Sequence, residues 1–202
     1  NTALWFQDGK ALQNLNQSDL SKMASDIADK KFSASPKISN ELVNRVKPSG
    51  TANGAKNNLL KKMIKNRGKE RLGMEGYPAE AGIFKSLVEG SGLYFFSKDG
   101  WDFRSPEKFS KKEDKYKLKE LWKSTSNFLR DNDDRAVVLT EIYDLWRREP
   151  FGVKDGLMSI LAISYFLTNE NTLAFYRQEI FQSNITDLDI EYLSKDPSTI
   201  KF

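Results

Sequence analysis

The residues best arranged for chemistry lie in the run KPSGTANGAKNNLLKKM, Lys47 to Met63, where glycines, hydroxyls and a lysine precede a helix-like segment. That mixture suggests a loop that holds nucleotide phosphates, whose pattern is G-x-x-x-x-G-K-[ST] between a strand and a helix. With Gly54 as the second glycine, the first falls on Ser49, the lysine slot holds Ala55 and the hydroxyl slot holds Lys56. No buried strand precedes the loop, because NELVNRVKPSG alternates polar and apolar residues like a short helix or turn. No strand ending in an acid follows it. A simpler role fits every residue. Pro48 and Gly50 break the preceding segment, and Ser49, Thr51 or Asn53 caps the helix GAKNNLLKKMIKN by accepting from its unsatisfied N–H groups. No nucleotide or other cofactor is expected.

The 202 residues include neither cysteine nor histidine. Disulfides, thiolate metal sites, Ser-His and Cys-His pairs and the commonest zinc ligand are therefore excluded. A self-contained enzyme is not expected. The alternative that survives is a cofactor-independent enzyme using lysine and carboxylates, which would need a deep pocket around a perturbed Lys or Glu. The acid clusters do not supply a metal site. RDNDDR, Arg130 to Arg135, lacks the glycine and terminal glutamate of a calcium loop and reads as a solvated turn. In TDLDIEY, Asp187, Asp189 and Glu191 alternate, so they do not share a helix face, and the two aspartates suit the positive end of a helix instead.

Charge gives a stronger signal. The chain carries only +4, yet between Arg45 and Arg71 nine cations face the single acid Glu70, about +8, which leaves the remainder near −4. Arg45, Lys47, Lys56, Lys61, Lys62, Lys65, Arg67, Lys69 and Arg71 form a segment suited to a polyanion, with salt-sensitive affinity from counterion release. Lys61, Lys62 and Lys65 fall on the side of the helix away from Leu59 and Met63. A second cluster joins Lys98, Trp101 and Arg104, with Phe103 on the Trp101 face of a hairpin. Trp122 and Trp146 sit at helix-core spacings and are expected inside. Phosphate contact and protein docking both remain open, and exposure of Lys56, Lys61, Lys62, Lys65 and Arg67 on one surface would separate them.

The elements that position these residues are mainly helical. Residues 1–35 read as a connecting segment with one helix, SDLSKMASDIADKKF, capped at Ser18 and apolar through Leu20, Met23 and Ile27. A short helix is expected at KISNELVNRV between Pro36 and Pro48. Residues 36–108 then give the basic helix, a turn, the helix AEAGIFKSLVEGSGL with Ile83, Phe84, Leu87 and Val88 inward, and a hairpin through KDG. Residues 109–202 give LKELWKSTSNFLRD, then VVLTEIYDLWRRE capped at Thr140, the apolar helix KDGLMSILAISYFLTN, a hairpin, and a closing helix from Thr186 or Asp187. Helix, turn, helix and hairpin occur twice, so the expected fold is mainly α with small β-hairpins, as two winged-helix-like units in tandem. Neither second helix suits base readout: the first offers only Lys85 against Glu80 and Glu89, and the second is nearly all apolar. The apolar run from Gly156 to Leu167 is too short to span a membrane, which needs roughly 20 residues. NTALWFQDGK lacks the basic and apolar regions of a signal peptide, and its Asn1 is expected of a piece of a longer protein.

The runs NELVNRVKPSGTANGAKNNLL, ERLGMEGYPAEAGIFKSLVEGSGLY and EPFGVKDGLMSILAISYFL resemble a helical, winged-helix-like region of large bacterial P-loop ATPases, some of them found in restriction and phage-defence gene sets. The resemblance extends from about Lys37 onward. In such proteins the motor is a separate region, and no catalytic residue carries over to this chain. The resemblance implies a cytoplasmic, non-catalytic accessory module that docks to the ATPase motor region of the same or a partner chain, or to double-stranded DNA, with no membrane partner.

Overall fold

The structure, a computed structural model, describes residues 4–7, 9–12 and 15–202. The chain divides into two compact units, residues 1–33 and 34–202.

In the first unit, strands β1 (Trp5–Gln7) and β2 (Lys10–Leu12) pair antiparallel ahead of helix α1 (Gln17–Lys31). The hairpin was not anticipated from the sequence. The cap of α1 is Asn16 rather than Ser18. Its side chain accepts from Asp19 N at 2.9 Å while the Asp19 carboxylate accepts from Asn16 N at 3.1 Å, a reciprocal pair that Ser18 could not complete. No residue of α1 is fully buried. Leu20, Met23 and Ile27 instead line an open apolar groove with Trp5, Phe6 and Leu12.

The second unit is mainly α with small antiparallel sheets. Its helices are α2 (Gly50–Lys65), α3 (Ala79–Ile83, continued by a π turn over Phe84–Glu89), α4 (Lys119–Arg130), α5 (Leu139–Arg147), α6 (Asp155–Asn169) and α7 (Asp187–Lys195). Strands β3 (Tyr94–Ser97) and β4 (Gly100–Phe103) form one hairpin, closed by the two residues Lys98 and Asp99. Strands β5 (Phe175–Arg177) and β6 (Ile180–Gln182) form the other. The last residues add β7 (Ile200–Lys201) to β5, so this sheet has the order β6-β5-β7. No helix of the described residues is long and apolar enough to cross a membrane.

Every residue of α6 from Gly156 to Leu167 is buried, and the rest of the unit is built around it. One continuous apolar core takes in Leu59 and Met63 of α2, Phe84 and Leu87, Phe103 of β4, Trp122 of α4, Trp146 of α5 and Ile163 of α6. The expected boundary between residues 108 and 109 therefore does not exist as a break in packing. Both core indoles are satisfied: Trp122 Nε1 donates to Thr168 Oγ1 at 3.1 Å, and Trp146 Nε1 donates to Thr125 Oγ1 at 2.8 Å.

Two local expectations are corrected. KISNELVNRV is turns rather than a helix. The Asn40 side chain accepts from Leu42 N (3.0 Å) and Val43 N (3.4 Å), and Asn44 Nδ2 donates to Ile38 O (2.9 Å), so side chains take the backbone groups that a helix would use. This segment crosses the start of α6, where Gly156 N donates to Arg45 O at 2.9 Å. A Cβ on Gly156 would lie 2.0 Å from Val43 O, so the crossing requires glycine. The cap of α5 is Val138 rather than Thr140: the Glu141 carboxylate accepts from Val138 N and is held by Arg135, which fixes the helix start earlier.

Candidate functional site

Helix α2 carries most of the basic segment. Its start is closed by its own sequence, since the Ser49 hydroxyl accepts from Ala52 N at 3.2 Å. Ala52, Ala55, Lys56, Leu59, Leu60 and Met63 make its buried stripe. The opposite face meets acids from two other helices, and the cation just beyond it meets two more acids. Lys65 donates to Asp187 at 2.7 Å, and Lys61 lies 3.9 Å from Asp187 and 3.8 Å from Glu191, both acids of α7. Lys62 lies 3.8 Å from Glu80 of α3, whose side chain is buried. Just past the helix, Arg67 bridges Asp102 of β4 and Glu170 at the end of α6, at 2.5 Å each. Burial works against the charge of this guanidinium, but the two carboxylates outweigh it and push its pKa up.

The surface expected to gather Lys56, Lys61, Lys62, Lys65 and Arg67 is therefore not an unpaired cationic face. Lys56 is buried, and the other four are ion-paired within the fold. The physical reason is that charge signs along one segment say nothing of the segments that pack on it. Arg71 is also engaged, donating to Gly76 O at 2.7 Å with the Tyr77 ring beneath it at 5.9 Å. Six cations of the set have no carboxylate in ion-pair distance among the described residues: Lys56 is buried, Arg71 is held by Gly76 O, and Arg45, Lys47, Lys69 and Lys98 are exposed.

The hairpin cluster is likewise structural at two of its three positions. Trp101 stacks on Tyr94 at 5.7 Å and tilts against Phe96 at 5.4 Å, on the rim of the core with Phe103. Arg104 sits between the rings of Phe95 (4.6 Å) and Phe109 (4.4 Å), donates to Gly92 O at 3.1 Å, and pairs with Glu113 at 3.1 Å. Lys98 alone points from the turn without an ionic partner.

A second site was not singled out in the sequence. On the inner side of α2, beside the start of α6, a pocket of about 430 Å³ is lined by Lys47, Lys56, Tyr143, Arg147, Asp155 and Ser159, among others. Burial pushes the Lys56 ammonium pKa down, and Asp155 opposes this from beyond ion-pair distance. Arg147 holds Asp155 at 2.9 Å and Asp144 at 2.8 Å. The hydroxyls of Tyr143 and Ser159 are buried without a hydrogen-bond partner. Burial raises the pKa of the Tyr143 phenol, so it is a donor at neutral pH. A signal for Lys56 was available: it stands three and four residues before Leu59 and Leu60, on the apolar stripe. Tyr143 and Ser159 carried no such signal, because the pocket joins elements about a hundred residues apart in sequence.

Asp189 is a further buried charge, in addition to Lys56 and Glu80. It accepts from Arg177 Nη1 (2.7 Å), Thr186 N (2.7 Å) and Thr186 Oγ1 (2.6 Å), which caps α7 at Thr186 and satisfies the carboxylate. Asp187 and Glu191 on the same helix are spent on α2, and no cluster of metal-ligating residues exists among the described residues. Comparison of the chain with protein-family models, with curated proteins and with solved structures gives no match.

Proposed function

We propose that the chain is a non-catalytic docking module, accessory to the motor region of a larger DNA-acting bacterial ATPase of the restriction or phage-defence kind, working in the cytoplasm. In this proposal α2–α3–β3–β4 and α5–α6–β5–β6 are two winged-helix-like units in tandem, fused through one core. The observation that carries it is the internal pairing of Lys61, Lys62, Lys65 and Arg67, which turns the basic segment inward and leaves protein contact as its better use. Burial of α6 on all sides keeps the second of the two would-be reading helices out of a DNA groove. Exposed apolar side chains stand on both hairpins, with Phe96 66% and Phe181 56% exposed, and they form the contact surface. Double-stranded DNA is touched through phosphates only, by Arg45, Lys47, Lys69 and Lys98.

The test is co-purification with the ATPase motor region of the parent assembly. Wild type is expected to be retained, and a Phe96→Ser, Phe181→Ser variant is expected to be lost from the complex while still folding. Equal retention of both would remove the hairpins as the docking surface. Phosphate contact is read separately from the salt dependence of duplex binding. Four engaged cations give a slope of log K against log salt of about −3.6, whereas nine would give about −8.

A further inference from the structure

We propose that the pocket on the inner side of α2 binds a small oxyanion-bearing molecule, a carboxylate or a phosphate, through Lys56, Tyr143 and Ser159. Its volume of about 430 Å³ lies within the range of small-molecule sites. Three cations line it, Lys47, Lys56 and Arg147, against the single carboxylate Asp155, and Asp144 just outside shares Arg147. The lining is therefore cationic even after the pairs are subtracted. Lys56 is only 8% exposed, yet among the described residues no carboxylate stands in ion-pair distance of it. A charge held this far from water attracts an anion much more strongly than a surface lysine does.

The two orphaned hydroxyls make the site specific. Tyr143 and Ser159 are each 5% exposed, on different helices, and each has a donor with nothing to receive it. A buried donor left unmade is costly, and an oxyanion offers several acceptors to the donors on the residues that line the pocket. The pocket also opens beside the N-terminal end of the 15-residue helix α6, where the helix dipole favours negative charge. Its wall is fixed, because the chain over Gly156 is locked by the close crossing at Val43 and Arg45. The cavity beside Arg67 lacks these properties: there the guanidinium is already bound to Glu170.

The test is thermal unfolding of the full chain with inorganic phosphate or malonate, against sodium chloride at matched ionic strength. Ligand that binds only the folded chain raises the midpoint in a saturable way. A saturable rise with phosphate, malonate or both is expected, and the more effective anion identifies the oxyanion that the site prefers. Lys56→Met is expected to weaken the apparent affinity at least about tenfold, with Lys61→Met unchanged. Tyr143→Phe and Ser159→Ala remove only a hydroxyl, so they report on the site even where Lys56→Met fails to fold, and each is expected to weaken binding about fivefold. No rise beyond chloride, or an unchanged affinity in both hydroxyl variants, would overturn the proposal.

Discussion

The two sides of α2 hold the same residue type in opposite states. On the outer side Lys61, Lys62 and Lys65 each reach an acid donated by another helix, and each keeps part of its surface in water. On the inner side Lys56 is buried with no acid in ion-pair distance among the described residues, and it lines a pocket with two buried hydroxyls that lack partners there. The lysines of one helix thus divide into a structural set and a candidate anion-binding residue. What separates them is the neighbour and not the residue. The outer set is satisfied within the fold, so removing a member leaves an acid wanting. The inner lysine is unsatisfied, so removing it is expected to relieve the fold and to weaken the proposed anion binding.

The contrast can be broken in several places, beginning with the strongest. Gly156→Ala drives a Cβ into Val43 O and opens the wall of the inner pocket. It is expected to cost about 3 kcal/mol or more in urea unfolding, and a near-neutral result would mean the crossing yields easily. Arg67→Ala strands two carboxylates that stay partly in water, so a loss of about 1–2 kcal/mol is expected in the same assay. Lys56→Met should move the other way, stabilising the ligand-free chain by about 1 kcal/mol, because it removes a desolvated charge while keeping the volume. A large loss instead would show Lys56 to be a structural cation like the rest.

The smallest effect is in acid. The hydrogen bond from Lys65 holds the Asp187 carboxyl below its usual range, against slight desolvation, and the Lys61 charge adds to it. A depressed pKa stabilises the folded state above the unfolded value of about 3.9, and this contribution is lost as pH falls through the folded value. Carboxyl NMR titration should place Asp187 below the ordinary aspartates in wild type and return it toward them in Lys65→Met. No difference between the two would remove that ion pair in solution.

The elements legible in the sequence were those with local causes. Apolar spacing gave α2 and α4 to α6, Ser49 was one of three candidate caps for α2, the start of α7 was placed at Thr186 or Asp187, and Asp99-Gly100 gave the first hairpin. Misjudged elements depended on distant partners or on side chains competing for the backbone. Asn40 and Asn44 undo the helix expected at 37–46, and β7 exists only because β5 offers it an edge. The basic segment was read correctly as a count and incompletely as a surface, since Asp102, Glu170, Asp187 and Glu191 lie at least 35 residues from the cations they meet. The pocket was hidden for the same reason.

The measurement that bears most directly on the inward-turned basic segment is duplex-DNA binding by fluorescence anisotropy at low salt, comparing two triple variants with wild type. Lys61→Met, Lys62→Met, Lys65→Met removes paired lysines, and Lys47→Met, Lys69→Met, Lys98→Met removes unpaired ones. The expected result is binding within about twofold of wild type for the first variant and at least about tenfold weaker for the second, each unpaired lysine accounting for roughly one released counterion. The reverse order, with the paired set carrying the affinity, would contradict the account: those ion pairs would then open to phosphate, and the segment would be a DNA-binding face after all.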